Sequence, residues 1–386
     1  MSRTFKLVIA SLLTILLLSI ACVAVPLIPQ NDAPPQGLEL VEEVWQLIQR
    51  DFVDSEALDH NRLAEGAVRG LIEALDDPYT SYLTPQQYEL SITRLKGEFS
   101  GIGATITIEE GQLTVVAPIA GSPAEQAGIR PGDKILKVDG KPTAGMTLHE
   151  AALRIRGPQG TKVGLLVLHP DDDAPREIKI TRAEIKLPSV EWEMLPDNIA
   201  HIRVSNFTER TDSEFASALS DIMAHGATGI VLDLRSNPGG LLDAAVKVAS
   251  QFLEEGIVVY ALDNKRERTD WPVQDGGMAP DIPLAVLVNS HTASAGEVVA
   301  GALQDHNRGL IIGVRTRGKG SMNRVHRLSN GGALYITFAR WFTPDGRQID
   351  REGIAPDIEL ELTPEDIENN RDPQLDRAIE YLQRGR

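Results

Sequence analysis

The chain has 386 residues, of which 42% are hydrophobic and 24% charged, and its formal net charge is −17. This length allows two or three domains with sizeable cores, and the composition is that of a globular protein rather than a disordered one. The negative charge argues against a nucleic-acid partner, because binding to phosphate backbones needs a basic surface.

The amino terminus has the layout of an export signal or a membrane anchor. An apolar run, LVIASLLTILLLSIACVAV, occupies residues 7–25 and follows Arg3 and Lys6. This layout predicts a signal peptide or membrane anchor over residues 1–25. We therefore expect the chain outside the cytoplasmic membrane, on the periplasmic or extracellular face, anchored by this segment. Cys22, the single cysteine, lies within the run, so the rest of the chain has no disulfide, Cys-based zinc site or thiol nucleophile.

A Pro-rich linker, residues 26–37, leads into a helical region, residues 38–96. Its apolar residues form two stripes at helical spacing, made of Leu40, Val44, Leu47 and Ile48, and of Leu63, Ala67, Gly70, Leu71 and Leu75. These stripes predict two helices that pack on each other or on a second copy of the chain. In the second case the region would form the interface of a homodimer.

Residues 97–185 are predicted to form a separate β-rich domain. Short β-type segments punctuated by Gly and Pro turns lie at 104–108, 113–118, 133–140, 162–169 and 177–183. A short amphipathic helix is expected from Leu148 to Ile155, with Leu148, Ala152 and Ile155 on one face.

Residues 186–362 alternate strands with helices and predict an α/β core, followed by a helical tail over residues 363–386. Strands are expected at 229–235, 283–289, 310–314 and 333–342, and helices at 241–255 and 295–305. The stretch RTRGKGSMN after the third strand is predicted to be a loop.

Ser294 lies where an apolar strand has ended and an amphipathic helix begins. A nucleophile at this position is exposed, and the free N–H groups of the helix start, such as that of Ala295, can stabilise an oxyanion. Gly239 and Gly240, after the preceding strand, can bring a second N–H close because they have no Cβ. On its own, however, a Ser before a helix is most often only a helix cap.

The base that would activate Ser294 has two candidate types. A Ser-His-Asp triad is conceivable with eight His in the chain, but His291 is too near in sequence and His306 begins a polar loop. Lys319, between two glycines after the next strand, is the better candidate. A Lys is a base only when neutral, so we expect it to be buried without a carboxylate partner.

Composition and spacing alone leave two readings open, a hydrolase core and a binding core. HExxH, Cys-cluster and phosphate-loop patterns are absent from the sequence, so no metal or cofactor is expected.

Taken together, the chain resembles the carboxyl-terminal processing, or tail-specific, serine proteases over residues 38–382. The motifs are HTASAGEVVAGALQDHNRGLIIGVRTRGKGS (291–321), DLRSNPGG (233–240), DDPYTSYLTPQQY (76–88) and GIAPDIEL (353–360). The resemblance implies an α/β core of the tail-specific protease or crotonase-like type, with Ser294 as nucleophile and Lys319 as general base. It assigns one oxyanion-hole N–H to Gly240.

The stretch GSPAEQAGIRPGDKILKVDG (121–140) resembles a PDZ domain. The resemblance implies that Gly101, Ile102 and Gly103 form a loop that binds a peptide's terminal carboxylate, and that Leu148, Ala152 and Ile155 line the side-chain pocket. The implied function is an endopeptidase that cleaves exported proteins near their C-termini after binding of their free tails.

One residue departs from the family pattern. The family usually has a Gln four residues after the catalytic Lys, where it orients the amine, and this chain has Asn323. The side chain is one methylene shorter, so we expect reduced but not abolished activity. The alternative is a catalytically inactive PDZ scaffold that only binds peptides.

Overall fold

A computed structural model describes residues 37–384, except for the side chains at positions 90, 94, 98 and 149. The predicted signal or anchor over residues 1–25 lies outside the described residues. None of the helices within residues 37–384 combines the length and the hydropathy needed to cross a bilayer. The described residues divide into two compact units, with the boundary between Leu75 and Asp76.

The first unit contains two helices, α1 (Leu38–Asp51) and α2 (His60–Glu73), with a short 3-10 turn at Ser55–Ala57. Asp59 caps α2, because its carboxylate accepts from the N–H groups of the next turn. The predicted apolar stripes, except for Leu47 and Leu75, line a groove of about 920 Å³. No residue of either helix is fully buried in this described unit. The homodimer stays a prediction.

The second unit begins with a short segment and a β-rich domain. Its elements are β1 (Ser81–Leu83), α3 (Pro85–Lys96), β2 (Glu98–Gly101), β3 (Ala104–Glu109), β4 (Gln112–Pro118), α4 (Pro123–Gln126), β5 (Lys134–Val138), β6 (Lys141–Pro142), α5 (Leu148–Ile155), β7 (Lys162–Leu168), β8 (Arg176–Thr181) and β9 (Ala183–Lys186). An antiparallel sheet has the order β3-β4-β5-β7-β8, and β2 pairs with β9. Alternate residues of β7 are buried, as expected for a sheet with one face on a core.

The α/β core follows. Its elements are β10 (Val190–Leu195), a 3-10 turn (Pro196–Asn198), β11 (Ile199–Val204), α6 (Thr211–Ala224), β12 (Gly229–Asp233), α7 (Leu242–Ser250), β13 (Ile257–Asp263), β14 (Arg268–Pro272), β15 (Leu284–Val288), α8 (Ala295–Asp305), β16 (Leu310–Gly313), β17 (Ser321–Arg327), β18 (Ala333–Phe342), β19 (Ile358–Glu359), α9 (Pro364–Glu368) and α10 (Pro373–Arg384). The predicted fold class is confirmed, an α/β core with an inserted β-rich domain and amino-terminal helices.

The central sheet of the core has the order β10-β11-β12-β15-β16-β19, and its strands are parallel except for β10. Every residue of β12 and β15 is buried, as parallel strands covered on both faces require. Residues of α6, α7 and α8 cover one face, and α10 covers the other with Ala378 and Leu382.

A second sheet lies beside it, with the order β1-β18-β13-β14 and β17 on the other edge of β18. Two predictions are corrected here. The stretch RTRGKGSMN is a loop only as far as Gly320, because Ser321–Arg327 pairs with β18. The helix predicted over 241–255 ends at Ser250, although Phe252 beyond it is fully buried.

Candidate active site

The three predicted catalytic turns meet at one end of the central sheet. Strands β12, β15 and β16 are adjacent and parallel, so the segments after their carboxyl ends leave the same edge. The Gly239-Gly240 turn follows β12, Ser294 follows β15 and Lys319 follows β16. A Cβ built on Gly239 would lie 2.7 Å from the Ser294 Cβ, so the first two turns are in contact.

Ser294 has a strained backbone. Its φ of 54° and ψ of −119° belong to a region that side-chain-bearing residues rarely adopt. Such a conformation costs on the order of 1–3 kcal/mol and is found mostly at functional sites. The sequence lacks the first Gly of a nucleophile elbow, so this strain was not predicted. The residue is half-buried at the start of α8.

Glu297 joins the turn that carries Ser294 to the Lys319 loop. Its side chain is fully buried. One carboxylate oxygen accepts from the N–H groups of Ser294 (2.8 Å) and Lys319 (2.9 Å). The other accepts from the hydroxyl of Thr316 (2.6 Å) and the N–H of Gly318 (2.5 Å). Burial raises the pKa of Glu297, although these four hydrogen bonds favour its ionised form.

Sequence reasoning did not select Glu297. The available signal was the spacing Ser-x-x-Glu across the start of a predicted helix, which is a capping-box pattern. In the structure the Glu side chain accepts from the Ser294 N–H in the manner of such a box. Its contact with a loop 19–22 residues further along the chain could not be read from that pattern.

Lys319 is half-buried and makes no ion pair with any carboxylate in the described chain. Burial lowers the pKa of its amine, the positive charge of Arg317 lowers it further, and Glu297 opposes both effects. The amine nitrogen lies 5.9 Å from the ring centre of Tyr79. Among the described residues, the Ser294 Oγ and the Lys319 Nζ are not joined by a hydrogen bond in this conformation.

The N–H groups of Gly240 and Ala295 are the free donors near Ser294. Gly239 is already occupied, because its N–H donates to the side-chain oxygen of Asn237 at 2.8 Å. Neither the Gly240 nor the Ala295 N–H donates to another group within residues 37–384. Free N–H groups beside a nucleophile are what an oxyanion hole requires.

Substitution of Gly240 is expected to destabilise the fold. Gly240 has a φ of 140°, and an added Cβ would overlap the carbonyl oxygen of Phe207. We expect Gly240→Ala to lower the free energy of unfolding by about 1–3 kcal/mol through this overlap and to reduce peptidase activity. Gly226→Ala is the control, since Gly226 also has a positive φ but open space around it. Chemical denaturation measures the free energy of unfolding of both variants, and equal decreases for the two would contradict the expectation.

Asn323 contacts Tyr79 rather than the lysine amine. Its side-chain amide donates to the Tyr79 carbonyl at 2.9 Å and to the Thr337 hydroxyl at 3.3 Å. The Tyr79 hydroxyl in turn donates to the carbonyl of Gly318 at 3.1 Å. The segment before β1 therefore holds the Lys319 loop from outside, a role for Tyr79 that the sequence did not indicate.

An ionic cluster around the buried Asp233 carboxylate precedes the turn that carries Gly240. Arg235 donates to Asp233 at 2.7 Å and pairs with Asp372 at 2.8 Å. His201 also contacts the Asp233 carboxylate, at 3.2 Å. Although burial opposes it, these hydrogen bonds lower the pKa of Asp233 to about 2. The cluster ties the end of β12 to the start of α10, beneath the turn.

An open cavity of about 840 Å³ adjoins the site. It is lined by Pro78, Tyr79, Ser236, Pro238, His291, Ala293, Arg317 and Lys319. The residue before Ser294 and the candidate base thus share one cavity, which is large enough to hold several residues of an extended peptide.

The predicted peptide-binding residues lie around one edge of the β-rich domain. Gly101 ends β2, Ile102 is buried, and Gly103 has a φ of 75° with Ser122 packed against it. On α5, Leu148 is exposed, Ala152 half-buried and Ile155 buried. Within the described residues β3 pairs only with β4, so its other edge is open to a further strand.

Comparisons with known proteins agree with this architecture. Residues 198–360 match the family model "Peptidase family S41", residues 114–168 match "PDZ domain", and residues 28–86 match "Activating protease CtpB N-terminal domain". The carboxyl-terminal-processing protease of Synechocystis sp. is 38% identical, covering 88% of this chain and 82% of its own. The carboxy-terminal processing protease CtpA of Bacillus subtilis is 35% identical, covering 83% and 68%.

Solved structures are similar as well. A photosystem II D1 C-terminal processing protease matches with a TM-score of 0.51 and 31% identity, covering 85% of this chain and 94% of the other. A putative S41 protease of Bacteroides fragilis matches with a TM-score of 0.55 at 17% identity, covering 88% and 96%, which shows the fold alone. The chain belongs to peptidase family S41, among the carboxyl-terminal-processing serine proteases that carry a PDZ domain.

Proposed function

We propose that this peptidase works through a Ser–Lys dyad, with Ser294 as nucleophile and Lys319 as general base. The observation that carries the proposal is the Glu297 carboxylate, which binds the backbone of both residues. The lowered pKa of Lys319 supports it too, because a larger fraction of the amine is then neutral. The proposal requires the flexible four-carbon side chain of Lys319 to bring its amine within hydrogen-bond distance of the Ser294 hydroxyl.

The proposed reaction has two halves. The Ser294 Oγ attacks the scissile carbonyl while the Lys319 amine takes its proton, and the Gly240 and Ala295 N–H groups stabilise the oxyanion. As the intermediate collapses, the C–N bond breaks and Lys319 returns the proton to the leaving amine, which leaves an ester on Ser294. Water then attacks this ester while the Lys319 amine takes its proton. As the bond to the Ser294 Oγ breaks, Lys319 returns this proton to the Oγ, so the free enzyme and a new carboxyl terminus are formed.

Substrate choice is proposed to lie in the PDZ domain, residues 97–185. A free C-terminal tail would pair with the open edge of β3 and place its carboxylate at the Gly101–Gly103 loop. Leu148, Ala152 and Ile155 would contact its apolar last side chain. The substrates are proposed to be exported proteins, since residues 7–25 have the layout of an export signal or anchor.

Cleavage of an unfolded reporter with an apolar free C-terminus tests the proposal. We expect the full chain to cleave it and Ser294→Ala to lose at least about 10⁴-fold in rate. Mass spectrometry of the acylated enzyme locates the ester on Ser294. Binding of the tail without cleavage by either protein would favour the inactive scaffold, and equal cleavage by both would exclude Ser294 as nucleophile.

A further inference from the structure

The active-site cavity has a local charge opposite to that of the whole chain. Its ionisable lining residues are Tyr79, His291, Arg317 and Lys319, and none of the described lining residues is acidic. The chain has a formal charge of −17, whereas residues 315–327, RTRGKGSMNRVHR, contain four Arg, one Lys and no Asp or Glu. A concave site lined by one sign of charge attracts ligands of the other sign.

Arg317 is the cation in this cavity that has no other assignment. Its N–H donates to the carbonyl of Thr292 at 3.0 Å, which holds its backbone against the turn before Ser294. Its side chain is exposed, and the guanidinium makes no ion pair or hydrogen bond with any residue in 37–384. Arg315, two residues earlier, instead donates to the carbonyl of Glu352 at 2.9 Å.

We propose that Arg317 determines specificity by binding a carboxylate of the substrate in the active-site cavity, beside the scissile bond. The guanidinium presents its donors as a planar fork that matches a carboxylate in two hydrogen bonds. This inference rests on the proposed function of Ser294 and Lys319. The carboxylate comes from an Asp or Glu side chain near the scissile bond, or from the free terminus of a short tail.

A merely solvated Arg317 would act only on the ionisation of Lys319, whose pKa its charge lowers. That effect is the same for every substrate. The informative quantity is therefore the ratio of kcat/KM values for two substrates measured with the same variant, because any change in Lys319 ionisation cancels in the ratio.

The experiment uses the full chain and the reporter described above, after its cleavage site has been located by mass spectrometry. Glu, Gln and Lys are placed in turn at each of the three positions on either side of the scissile bond. In a second series the reporter's C-terminus is free or amidated. The variants are Arg317→Gln, Arg317→Glu and, as matched control on the same loop, Arg315→Gln.

We expect the wild type to prefer Glu over Gln by about tenfold at one position, the effect of one exposed charge-assisted contact. Arg317→Gln should remove this ratio, Arg317→Glu should reverse it in favour of Lys, and Arg315→Gln should keep it. If the terminal carboxylate is the ligand, the free-over-amidated ratio falls in Arg317→Gln instead. If Arg317→Gln leaves the ratios of both series unchanged, the inference is overturned. If the wild type cleaves none of the reporters, the proposed function itself is refuted.

Discussion

Replacing Lys319 with Met is expected to lower the rate of peptide hydrolysis by about 10⁴-fold or more without unfolding the protein. Met has a similar length but no basic nitrogen, so nothing accepts the proton of Ser294. Lys319 makes no ion pair within the described chain, and its amine is desolvated, so its loss leaves no charged partner behind. We therefore expect thermal unfolding near the wild-type temperature.

Lys319→Arg separates basicity from positive charge. An Arg side chain stays protonated, so this variant should be as inactive as the Met variant. In the wild type, kcat/KM should rise with pH as Lys319 loses its proton, and burial and Arg317 place this rise below the ordinary Lys pKa of 10.5. An Arg variant with a tenth or more of the wild-type rate would remove Lys319 from the role of base.

Replacing Glu297 with Gln is expected to reduce kcat by about 100-fold or more. The carboxylate accepts four hydrogen bonds, two at each oxygen. In the Gln variant an NH₂ group replaces one of the two oxygens and faces N–H or O–H donors. Either the hydrogen bonds to Ser294 and Lys319 or those to Thr316 and Gly318 are then lost. Leaving buried donors without a partner also costs about 1–3 kcal/mol of stability.

The pH profile of Glu297→Gln separates a positioning role from a merely structural one. The negative charge of Glu297 raises the pKa of Lys319, so its removal should move the rise in kcat/KM to lower pH while the plateau falls. Asp305→Asn, at the other end of α8, is the control. Asp305 is buried against Arg347 and accepts from Asp345, so its loss should cost stability without moving the pH profile. Identical profiles for the two variants would argue against the positioning role.

Much of the fold could be predicted from local pattern. The helices Leu148–Ile155 and Ala295–Asp305 and the strand Ala333–Phe342 have the predicted bounds. Each combines a clear apolar period with a distinct end signal, such as the Thr147 cap of α5. Their conformation depends mainly on residues within the element itself.

Elsewhere the pattern was insufficient. Ser321–Arg327 is polar and exposed over its last four residues and reads as a loop, yet it is a strand because β18 supplies a pairing partner. The helix predicted as far as residue 255 ends five residues earlier, at Ser250. A buried Phe252 satisfies the same hydrophobic pattern in a turn. The spacing of apolar residues indicates which side chains are buried. It does not by itself determine whether the backbone is helical at those positions.

The sequence by itself determined the family and the choice of Ser294, Lys319 and Gly240 as candidates, because short motifs carry that information. Only the tertiary structure decided what surrounds them: the strained backbone of Ser294, the Glu297 carboxylate between the two loops, and the unpaired Arg317 in the cavity. The Glu297 carboxylate contacts a loop 19–22 residues further along the chain, and Tyr79 contacts the same loop from a position more than 200 residues earlier. These contacts form only after parallel strands have paired and brought their ends to one edge of the sheet.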